Sequence, residues 1–144
     1  INELRKDLIE KLLLELKEAL TIQNPRPLHE IPKDEMSANL ILLFEHIQKK
    51  HIAYETLLIY QPDALFTNGI QDILKEFVTD GIYFAQTRPY LINVNEQLII
   101  AYVAGAYLES VRWWITTNYE TSPIHMANTL IELSINGPYI KRLP

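Results

Sequence analysis

The chain has 144 residues, 48% hydrophobic and 22% charged, with a formal charge of -5 and a pI near 5.3. That length can hold one domain with a sizeable core, and the acidic balance excludes a segment that itself neutralises the phosphates of nucleic acid. Cysteine is absent, which excludes disulfides and thiolate chemistry and suits a reducing cytoplasm; neither a signal peptide nor a transmembrane stretch is visible.

Residues 2–20, NELRKDLIEKLLLELKEAL, carry Leu4, Leu8, Leu12 and Leu16 four apart, with Ile9, Leu13 and Leu20 widening the face. This spacing predicts an amphipathic helix. Asn2 can cap it, and Lys6–Glu10, Asp7–Lys11 and Lys11–Glu15 support its outer side. The chain opens at Ile1 inside this pattern and without Met, so an upstream portion is expected. Residues 21–35 hold three prolines and no period, which reads as a loop. A second helix is predicted from near Asp34 or Ser37, with Leu40, Phe44 and Ile47 on one face. After the polar break QKKH (48–51), IAYETLLIY (52–60) is a shorter helix stopped by Pro62.

Residues 65–86 form a third long pattern through Phe66, Ile70, Ile73, Leu74, Phe77, Gly81 and Phe84. Gly81 costs about 1 kcal/mol against Ala there, and either permits a close crossing or marks the helix end. Asn93 and Glu96 have capping-box spacing before the next helix. That helix contains LIIAYVAGAYLESVRWWI (98–115), which is apolar all round. It is too short for a membrane span, which needs ~20 apolar residues, and Glu109 and Arg112 interrupt it. A helix without a polar face must be covered on more than one side, and a second copy of the chain is one candidate cover. Ser122 as N-cap and Pro123 at the first helical position open a last helix, closed by Gly137 and Pro138. The expected fold is all-α: one bundle of about six helices spanning 1–144, with loops short enough for such packing.

No catalytic motif emerges. His46 and His51 are five apart, which spoils the one-face geometry of a helical metal pair, so no metal and no cofactor are expected. Glu109 and Arg112, three apart, read first as a local ion pair, with an intersubunit pair or a ligand anchor as alternatives. The serines lack an elbow motif, no glycine-rich phosphate loop is present, and Asp34–Glu35 looks solvated. The aromatics say more. Most are core, but an apolar cavity between helices, walled by aromatics with a few hydroxyls, would suit a small organic ligand. Phe44, Tyr54, Leu58, Phe77, Phe84 and Tyr102 are the candidate walls.

Residues 101–134, AYVAGAYLESVRWWITTNYETSPIHMANTLIELS, resemble the C-terminal regulatory domain of TetR-type transcriptional regulators, above all a group common in Firmicutes. The resemblance rests on small residues Ala101, Ala104, Gly105 and Ala106, then Trp114, then Ser122-Pro123, then Met126, Ala127, Leu130 and Leu133. HIQKKHIAYETLLI (46–59) resembles the family's mid-domain segment.

The resemblance implies that residues 1–20 are the connecting helix from an N-terminal helix-turn-helix domain, which reads operator DNA and is not part of this chain. It also implies a homodimer in which the last two helices of each copy form a four-helix interface. Val103, Tyr107, Val111, Trp114, Met126, Leu130 and Leu133 are the expected dimer residues, and Tyr102 with its helical neighbours is expected to face an unidentified small-molecule effector. The rival readings are a protein-interaction module acting as a co-regulator and a helical enzyme with an unrecognised site.

Overall fold

The computed structural model describes residues 2–21, 33–85 and 95–136, with side chains over 3–21, 37–80 and 95–134. The described residues form six α-helices and no strand: α1 (Asn2–Leu20), α2 (Lys33–Lys49), α3 (His51–Glu55), α4 (Ala64–Ala85), α5 (Glu96–Thr116) and α6 (Pro123–Asn136). A π-helical turn, Thr56–Tyr60, continues α3, so the short helix expected over 52–60 is wound more widely in its second half. The last helix ends at Asn136; Gly137 and Pro138 lie outside the described residues.

Helix α1 lies against both α2 and α4. Helix α6 packs on α2, and α5 packs on α4. The core of α1 begins at Ile9 and continues through Leu12, Leu16 and Leu20. Residues 3–8 are exposed, so Leu4 and Leu8, expected in the apolar stripe, stand outside it. The approach of α1 to α4 is close at Gly69, where an added Cβ would sit 2.5 Å from Leu13 Cδ1. Gly81 does not end α4, which continues to Ala85.

Caps explain the helix starts. Asp63 Oδ1 accepts from Phe66 N at 3.0 Å at the head of α4, and Asn95 Oδ1 accepts from Leu98 N at 3.2 Å at the head of α5. The expected capping residue Asn93 lies outside the described residues; Asn95 does the work instead. Ser122 Oγ accepts from His125 N at 3.1 Å with Pro123 as the first residue of α6. This satisfies a donor that the first helical turn leaves without a partner. Ser122→Ala is expected to destabilise the protein by about 1 kcal/mol, read as a lower urea midpoint at unchanged slope.

Candidate functional site

Helix α5 is apolar on two opposite sides, and the fold covers one of them. Ile100, Ala104, Tyr107, Leu108, Val111, Trp114 and Ile115 are buried within a single copy. Leu98, Tyr102 and Trp113 lie on the other side, 60%, 75% and 55% exposed. Ala106 and Glu109 are exposed between them, and the spacing of four, eight, eleven and fifteen from Leu98 makes one continuous stripe at 3.6 residues per turn. Glu109 is held by Arg112 on the same helix, so the carboxylate in the stripe carries its own counter-ion. A Cβ added at Gly105 would meet nothing within 4 Å, so none of the described residues fills the small-residue region there. Helix α6 adds Ile124 at 58% and Leu133 at 43% exposure. The neighbouring helix edges are tied where the Tyr107 hydroxyl meets Ser134 Oγ at 2.6 Å. Ser134 gives its own proton to Leu130 O, which leaves Tyr107 as the donor between them.

The covered side of α5 is organised on Trp114. Its ring stands edge-on to Phe44 of α2 at 5.0 Å and to Tyr119 at 4.9 Å, and Nε1–H donates to Thr121 O at 2.6 Å. Tyr119 follows α5 with φ 58, as does Asn118, a left-handed conformation that costs a non-glycine residue of order 1 kcal/mol. The turn is held because Tyr119 N donates to Trp114 O and the Tyr119 hydroxyl donates to Glu55 Oε1 at 2.8 Å. That hydroxyl is pushed well above the usual tyrosine range by burial first and then by the Glu55 carboxylate.

A second aromatic group lies where α1, α2, α3 and α4 meet. The Tyr54 ring contacts Phe66 at 5.3 Å and His46 at 5.6 Å, both edge-on. The Tyr54 hydroxyl and His46 Nε2 are buried without a hydrogen-bond partner among the described residues; Glu15 Oε2 is 3.6 Å from that nitrogen, beyond hydrogen-bond length. Burial raises the Tyr54 hydroxyl far above its ordinary range, with Glu15 adding to the shift. Burial lowers His46 below the ordinary histidine value of 6.5, against the pull of Glu15 and with help from Lys50 and Lys49.

The folded state therefore prefers neutral His46, while the unfolded chain takes up a proton below 6.5. This contribution to stability is complete above that pH and is lost as pH falls through the depressed value. Urea titrations on either side of pH 6.5 should show the drop, and His46→Gln should make it smaller.

The structure divides the residues expected to wall a ligand pocket. Phe44, Tyr54 and Leu58 are buried together in the core, and Phe77 is at its edge. Phe77 also borders a cleft of about 50 Å³ beside Lys17 and Asp80, too small for an organic ligand. The Phe84 side chain lies outside the described residues. Tyr102, expected on the inner side of α5, stands on the outside at 75% exposure.

The residues expected on the partner side are divided as well. Tyr107, Val111, Trp114, Met126 and Leu130 are buried inside one copy, Val103 is half-buried, and Leu133 is exposed. Within this chain Tyr102 thus stands outward and Tyr107 and Trp114 stand inward. An all-round apolar helix has no periodic signal to set its rotation, which follows from where α2 and α4 already lie. Leu98, Trp113 and Ile124 on the outer face, and Tyr119 in the turn, went unmarked. A signal existed for the first two: Leu98, Tyr102 and Trp113 share helical phase with Glu109, the carboxylate in the middle of the helix.

Among the described residues no three His, Asp or Glu side chains gather as metal ligands, and no helix is long and apolar enough to cross a membrane. No curated protein and no solved structure matches the chain. The family model TetR_C_8, transcriptional regulator C-terminal region, matches residues 34–136, from the start of α2 to the end of α6. The matched segment includes both sides of α5, the Trp114 turn and the Tyr54 cluster, and the chain belongs to this non-enzymatic family of TetR-type regulator C-terminal domains.

Proposed function

We propose that this chain is the dimerising, effector-responsive half of a cytoplasmic TetR-like regulator. Helix α1 is the connecting helix from a DNA-reading helix-turn-helix domain. The observation that carries the reading is the outer face of α5, with Leu98, Tyr102 and Trp113 exposed, on a chain of net charge -5. Leu98, Tyr102 and Trp113 share one helix face, with Ala106 and the Arg112-paired Glu109 between them, and large exposed apolar side chains grouped on one face mark an interface rather than scattered surface residues. A second copy applied by a two-fold axis covers the patch with itself, and four helices meet. The dimer contacts on this reading are Leu98, Tyr102, Trp113, Ile124 and Leu133. Sedimentation equilibrium of the protein should give twice the 16.8 kDa chain mass for this segment; a monomer at micromolar concentration would refute the dimer.

A small apolar or aromatic effector is proposed to enter near Phe44, Tyr54, Leu58, Phe77 and Phe84. Support comes from the Tyr54 hydroxyl and His46 Nε2: buried polar atoms without partners cost about 1–3 kcal/mol each, and a ligand hydroxyl or carbonyl reaching them recovers part of that. Binding would favour one placement of α1 over another and so alter the spacing of two DNA-reading heads matched to half-sites one helical turn apart. Operator affinity of the full-length protein, measured across a panel of such molecules, tests this; no change with any of them counts against the effector. A second reading, a co-regulator that binds another protein, is favoured by the close side-chain packing around Phe44, Tyr54 and Leu58. Under it the outer stripe takes that partner and the protein alone is monomeric.

A further inference from the structure

Helices α1 and α2 pack together, and Leu12 and Leu16 of one and Leu43 and Ile47 of the other are all buried. A polar pair crosses this apolar contact: Glu15 Oε2 of α1 is 3.6 Å from His46 Nε2 of α2. The nitrogen is buried and makes no hydrogen bond among the described residues, while the Glu15 side chain keeps 32% of its surface in water. The imidazole is held in place by Tyr54 of α3, which stands edge-on to it and is itself backed by Phe66 of α4. Rings packed in this way have little room to swing, so the carboxylate is the movable partner.

The charges acting on His46 are Glu15 from α1 and Lys50 and Lys49 from the end of its own helix. Helix α3 faces it with the Tyr54 phenol, and none of the acting charges comes from α4 or α6. At 3.6 Å the pair is just outside hydrogen-bond length. That distance fits a neutral ring whose bare Nε2 lone pair faces a carboxylate oxygen, because two acceptors repel each other.

We propose that His46 and Glu15 form a proton-operated latch between α1 and α2. A proton from solvent, reaching the ring past the partly exposed Glu15, adds to the Nε2 lone pair. The nitrogen becomes a donor, and Nε2–H closes on Oε2 in a charge-assisted hydrogen bond of about 2.7–2.9 Å. No other bond forms or breaks, and the Tyr54 phenol keeps its proton, which burial and Glu15 hold in place. Closure draws the Glu15 turn of α1 toward α2. Burial of the ring sets this closure on the acid side of 6.5, with Glu15 pulling the other way. The new pair offsets part of the cost of a buried charge. The latch needs neither the dimer nor an effector; only its consequence for DNA rests on α1 being the connecting helix.

The test is solution NMR of the full-length protein, labelled at histidine rings and leucine methyls and titrated across the histidine range. The His46 ring and the Leu12 and Leu16 methyls, which flank Glu15 in the chain, are expected to titrate together. The ring should gain a slowly exchanging Nε2–H signal at the acid end. Glu15→Gln, a change at a partly exposed position, should move the His46 midpoint to lower pH and at least halve the Leu12 and Leu16 response. Glu10→Gln removes the same charge from an exposed pair with Lys6 on the same helix and should change neither. His46→Gln gives Glu15 a permanent amide donor and should make both methyls indifferent to pH.

The latch is overturned if His46 titrates while Leu12 and Leu16 stay still, if Glu15→Gln leaves its midpoint in place, or if the methyls titrate equally in His46→Gln. Unfolding of the parent before His46 takes up its proton would overturn it too, since closure has to occur within the folded state. The two variants act on opposite partners, so loss of folding in one leaves the other to decide.

Discussion

Trp114→Ala is expected to cost about 3–5 kcal/mol of folding stability, the range for removing a large buried aromatic. Trp114 is 0% exposed and touches three parts of the chain at once. Its ring meets Phe44 of α2 and Tyr119 of the turn, and its N–H is the partner of Thr121 O. Truncation therefore removes apolar area, two edge-on ring contacts and a hydrogen bond, and leaves a carbonyl without its donor. Tyr119 also loses the surface that offsets its left-handed backbone. Domains of this size are stable by roughly 5–15 kcal/mol, so the variant should be close to unfolding at physiological temperature. Equilibrium urea denaturation followed by circular dichroism measures the loss. A change below about 1 kcal/mol would mean that the turn after α5 is not held by this ring.

The adjacent residue should behave in the opposite way. Tyr102→Glu combined with Trp113→Glu is expected to leave folding nearly unchanged, because both side chains are more than half exposed and surface substitutions usually stay within about 0.5 kcal/mol. The same pair should weaken self-association by at least about 100-fold, equivalent to about 2.7 kcal/mol. Tyr and Trp dominate interface energies when buried at a centre. A two-fold interface also receives each new carboxylate twice, next to the existing Glu109. Sedimentation equilibrium over a concentration series reads the effect directly. If the double variant associates as well as the parent, the stripe on α5 is not the contact. On the proposed dimer, two neighbouring tryptophans would then divide the work, Trp114 governing folding and Trp113 assembly.

The order and number of helices among the described residues were legible because each depends on local signals: leucine periodicity in α1 and Ser122-Pro123 before α6, whereas the loop expected over 21–35 gives way to α2 already at Lys33. The ion pair of Glu109 with Arg112 was legible for the same reason, since three residues on a helix are neighbours in any fold. The π-helical turn at Thr56–Tyr60 was not, because its hydrogen bonds fall to Gln61 and Asp63, which precede α4 and are positioned by that helix. Nor was the cap of α5, where two asparagines compete and Asn95, one residue before the helix, has the geometry.

Sequence alone determined that this is an acidic, helical domain resembling a regulator family, with one helix apolar all round. Tertiary structure alone decided which side of it is buried. Local chemistry at Trp113 and Trp114 is nearly identical, and a rotation of about 100° per residue separates them. Packing against α4, with Phe44 of α2 and the Tyr119 turn closing over one ring, turns Trp114 inward and leaves Trp113 outside. The periodic pattern could not foresee this, because hydrophobicity drives burial without specifying direction.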